Sequence, residues 1–63
     1  MDDIDIYRSA KHYIDQYGAD ASKHAAMQAE AMMRVGDLDG YSVWMRIGRA
    51  IEELQATGGG TTH

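Results

Sequence analysis

A chain of 63 residues and 7.0 kDa, 44% hydrophobic and 25% charged, with a net charge of −4 and neither Cys nor Pro, has material for one small domain. So short a chain buries only roughly 60% of the surface it exposes unfolded, which excludes multi-domain enzyme architectures. The lack of Cys excludes disulfides, thiolate metal sites and a Cys nucleophile, and scaffolds without such staples recover burial through tight helix packing or oligomerisation.

Gly and Asp punctuate the chain at 18–20 and 36–40, and the segments between carry apolar residues at helical spacing. The first, 3–17, places Ile6, Ala10, Tyr13, Ile14 and Tyr17 on one stripe. Asp2, Asp3 and Asp5 stand where the positive end of a helix dipole favours carboxylates, and Gly18 is placed to end the helix in the left-handed conformation. The second segment, 21–35, has high helix propensity, with Asp20 as the expected N-cap and Ala25, Ala26, Ala29, Met32 and Met33 as the expected inward stripe. Alanines at that spacing let a neighbouring helix approach closely. Glu30 and Arg34 form an i, i+4 pair worth about 0.3 kcal/mol.

The third segment, 39–56, is the most amphipathic, with Val43, Trp44, Ile47, Ala50, Ile51 and Leu54 in register. With Asp39 as N-cap, Leu38 and Val43 occupy the two positions of a hydrophobic staple. With Asp37 as N-cap, Leu38 turns back toward the core from the first turn. The stretch 57–63 has no apolar residue and is expected to be a disordered tail beyond a single helical domain, 1–56. The reading is an all-α chain, a three-helix bundle or helical hairpin, that dimerises into a larger bundle. Dimerisation is expected because Tyr7, Met27, Tyr41 and Met45 fall off the main stripes and need cover.

No apolar run approaches the roughly 20 residues of a membrane span, and the acidic start of the chain is unlike a signal peptide, so a cytoplasmic location without membrane attachment is expected. The pI near 5.0 disfavours a nonspecific phosphate-backbone binder and mildly favours a basic protein partner or none. Taking Gly40 as position six of a calcium loop puts Val35 and Arg46 where the end ligands belong, so 37–40 reads as a capped helix turn. His12 and His24 lie on different helices without a third ligand at zinc spacing, and Ser9, Ser22 and Ser42 sit in no nucleophile elbow. Neither catalytic residues nor a metal or cofactor is expected. Arg46 and Arg49 on the third helix offer nucleic-acid contacts if 21–56 is read as a helix-turn-helix, although Glu52 and Glu53 share that helix. The acids of residues 1–20, Asp2, Asp3, Asp5 and Asp15 among them, offer a surface for inhibiting or adapting a larger enzyme.

The stretch His24-Ala25-Ala26-Met27, Ala29, Met33, Gly36 to Gly40, Trp44, Ile47, Ala50 and Glu53-Leu54 resembles small uncharacterised bacterial proteins built as short helical domains of unknown function. The likeness spans about residues 4–55 and implies a helical fold without an assigned activity or site. The Gly-Asp-Leu-Asp turn also resembles the inter-helix turn of tetratricopeptide repeats. Tyr41 and Val43 stand where that pattern wants a small residue, its closing Pro is absent, and there is no second copy.

Overall fold

The computed structural model describes residues 3–60, and side chains through residue 56. The described chain is all-α. Helix α1 spans Asp3–Tyr17, a 3-10 turn spans Gly18–Asp20, α2 spans Ala21–Arg34 and α3 spans Leu38–Gly60. The 3-10 turn leaves no loop between α1 and α2, so the backbone forms two helical stretches, the first bent at Gly18. Among the described residues, no helix is long and apolar enough to cross a membrane.

Gly18 adopts φ +57, the left-handed conformation that ends α1 at little cost for a residue without Cβ. Its carbonyl then accepts the Ala21 N–H and, at 2.7 Å, the side-chain amide of Gln55, which ties the bend to α3. Asp20 precedes α2 as expected but makes no capping bond. Its backbone is held at φ −91, ψ 2 by the 3-10 turn rather than in the extended conformation that aims a capping side chain at the next N–H groups. Asp3 and Asp5 do lie in the first turn of α1, while Asp2 falls outside the described residues.

The second turn is a Schellman motif fused to a cap. Gly36 at φ +80 donates to the Met33 carbonyl at 3.1 Å, and Asp37 donates to the Met32 carbonyl at 2.8 Å. The Asp37 carboxylate accepts the Gly40 N–H at 2.9 Å, so Asp37 and not Asp39 is the N-cap of α3. Leu38 consequently occupies the first helical position and is 67% exposed, neither stapled to Val43 nor turned to the core. Helix α3 runs past the expected end at 56 to Gly60, through a glycine run whose low helix propensity predicted a stop; residues 61–63 of the expected tail lie outside the described residues.

The core joins Ile6 and Ala10 of α1, Ala21 and Ala25 of α2, and Ile47, Ala50 and Ile51 of α3, flanked by half-buried Tyr13, Ile14, Val43 and Trp44. Helices α2 and α3 run antiparallel: Ala25 lies beside Gly48, and Met32 reaches Gly40. A Cβ on Gly48 would sit 3.7 Å from that of Ala25, which is the close approach that the small residues allow. The buried ridge of α2 is Ala21, Ala25 and Ala29 at i, i+4 and i+8. Ala26 and Met33, expected inside, are exposed. Facing a helix as slender as α3 is at Gly48, α2 presents one narrow ridge instead of a broad stripe.

Candidate functional site

Two grooves flank α3. The first lies between α1 and α3, with a volume of about 260 Å3, and is lined by Asp3, Ile6, Tyr7, Arg46, Arg49, Ala50 and Glu53. Tyr7 donates to Glu53 at 2.9 Å across it. That hydrogen bond, reinforced by the charge of the carboxylate, holds the Tyr7 phenol above its ordinary pKa. Arg46 and Arg49 are exposed here as a nucleic-acid reading requires, but Asp3 and Glu53 line the same groove and offset the positive potential a phosphate would meet.

The second groove lies between α2 and α3, with a volume of about 220 Å3. Its small residues are Ser22 and Ala26 of α2 and Gly48 of α3, and Trp44, Met45, Arg49 and Glu52 complete the lining. Helical spacing aligns Tyr41, Met45, Gly48 and Glu52 along this side of α3, and Ser22, Ala26 and Met33 along the adjoining side of α2. Met33 and Met45 are 50% and 48% exposed, so flexible apolar side chains border a floor of small ones.

Trp44 is fixed by a train of rings. Its indole packs 5.3 Å from Tyr13, which meets Tyr17 edge-on at 5.2 Å, and Tyr17 stacks on His24 at 3.8 Å. These contacts span α1, α2 and α3 and hold the Trp44 wall of the groove in one orientation. Burial and the neighbouring Tyr17 raise the Tyr13 pKa. His12 is exposed, and among the described residues no group of three or more His, Asp or Glu is arranged to share an ion.

The four residues expected to form one interface are thus dispersed. Tyr41 and Met45 share the α2–α3 side of α3; Tyr7 belongs to the other groove; Met27, 57% exposed, stands on the face of α2 opposite its buried ridge. Ser22, Ala26, Gly48 and Glu52 were not anticipated. The available signal was Gly48 itself, since a glycine inside a strongly helical pattern costs about 1 kcal/mol against Ala and calls for a packing or contact reason. No family model matches the chain, and no curated protein or solved structure proved similar to it.

Proposed function

We propose that this protein is a small, non-catalytic, cytoplasmic interaction or regulatory module: a three-helix bundle that self-associates into a larger one. The observation that carries the reading is an inversion of residue size. The buried hydrophobic residues are five Ala and three Ile, while Met27, Met33, Val35, Leu38 and Met45 are exposed. A core of that composition contributes little burial per residue, and exposed apolar side chains near a groove mark an association surface. Both grooves are open to solvent along α3, where a partner surface can reach them.

The test is sedimentation equilibrium from low micromolar to millimolar protein. Self-association predicts a mass that rises to a multiple of 7.0 kDa within that range. A single-chain mass throughout sinks the reading, and the exposed methionines then await a different protein.

A further inference from the structure

We infer that the α2–α3 groove is the seat of a second copy of this chain, related by a two-fold axis that crosses α3 antiparallel on itself over the turn from Gly48 to Glu52. The inference rests on the self-association reading and names its surface. Its warrant is charge complementarity on a floor built for close approach.

Arg49 and Glu52 both line this groove, three residues apart and exposed, and neither forms an ion pair within the chain among the described residues. One face that carries both signs is self-complementary under a two-fold, because an isologous interface meets its own patch in reverse order. Arg49 of each copy then faces Glu52 of the other, so the pairing is made twice. Around Met27 the outer face of α2 carries Lys23, Glu30 and Arg34, but there Glu30 is already paired to Arg34 within the chain at 3.5 Å.

Sterics point to the same place. Gly48 leaves the backbone of α3 uncovered at the crossing, and a methyl there would touch only Ala25 behind it. Ser22 and Ala26 beside it keep the α2 side of the groove equally low. Two helices approach closely where one presents glycine and the other an unbranched side chain.

The test uses charge exchange on the full chain. Arg49→Glu or Glu52→Arg each sets like charges across the axis, so each variant alone is expected to raise the dimer Kd at least about tenfold. Mixed together, the two restore both attractive pairs, and a dimer containing one of each appears by native mass spectrometry. Lys23→Glu shifts net charge as Arg49→Glu does and leaves the dimer intact. Both altered side chains are exposed, so helical circular dichroism should be unchanged. A second measurement does not depend on those variants: the chain has no Cys, and Glu52→Cys is expected to oxidise to a linked dimer where Met27→Cys does not. A monomeric wild type overturns self-association itself. A dimeric wild type whose single charge variants remain dimers, with no preference for the mixed pair and no cross-link at 52, overturns this surface alone.

Discussion

Replacing Gly40 by Ala sets two contributions against each other. Inside a helix that change gains about 1 kcal/mol of propensity. At Gly40 the new methyl would stand 2.8 Å from Oδ2 of Asp37 and 2.8 Å from Sδ of Met32, closer than side chains tolerate. The Asp37 carboxylate is the group that caps α3, and displacing it forfeits about 1 kcal/mol. Gly40→Ala is therefore expected to leave stability unchanged or slightly lowered. In an Asp37→Ala background the cap and the obstructing oxygen are both gone, and only the flexible thioether of Met32 has to turn aside. There the same substitution should stabilise by most of about 1 kcal/mol, raising Tm by about 5 °C. The double-mutant cycle thus carries a coupling of about 1 kcal/mol. Thermal and urea unfolding followed by circular dichroism, at one fixed protein concentration, measures it. Equal effects of Gly40→Ala in the two backgrounds would refute the claim that the capping carboxylate is what requires glycine at this position.

Ile51 is fully buried, and Ile51→Ala should cost about 3 kcal/mol, a large share of the roughly 3–9 kcal/mol expected for a domain of this length. A urea midpoint close to wild type would mean that the core around it collapses to fill the gap. The raised Tyr7 pKa means that the folded state favours the neutral phenol, so its contribution is complete below the ordinary tyrosine value of about 10 and is lost as pH rises through the higher folded value. Melting temperature should consequently fall more steeply in wild type than in Tyr7→Phe at pH above about 10; superimposed curves would remove the Glu53 hydrogen bond from the account.

Both helix stops were legible because they depend on local chemistry. Gly18 and Gly36 take the left-handed conformations that only a residue without Cβ adopts cheaply, and the helical spacing between them admits no strand. The i, i+4 pair Glu30–Arg34 was equally local and is present at 3.5 Å. The choice between Asp37 and Asp39 was not local. Either could cap α3, and Asp37 takes the position because its backbone N–H is also engaged by the Met32 carbonyl in the Schellman turn, which fixes where the next helix begins.

Sequence by itself determined an all-α chain, the places where its helices turn, and the excess of large apolar residues over what one small core absorbs. Helical spacing placed Ala25 and Ala29 inside, as they are, but only tertiary structure decided that Ala21 completes the inward ridge of α2 and that Ala26 and Met33 fall outside it. Ala21, Ala25, Ala26, Ala29 and Ala31 are nearly interchangeable in hydrophobicity, so periodicity could not rank them. Contact with Gly48 could, since close approach of α3 selects the ridge at 21, 25 and 29 and leaves Ala26 in the open groove. The same packing separated Tyr7 and Met27 from Tyr41 and Met45. Exposure of a side chain is set by the neighbour that covers its helix face, and that neighbour is distant in sequence.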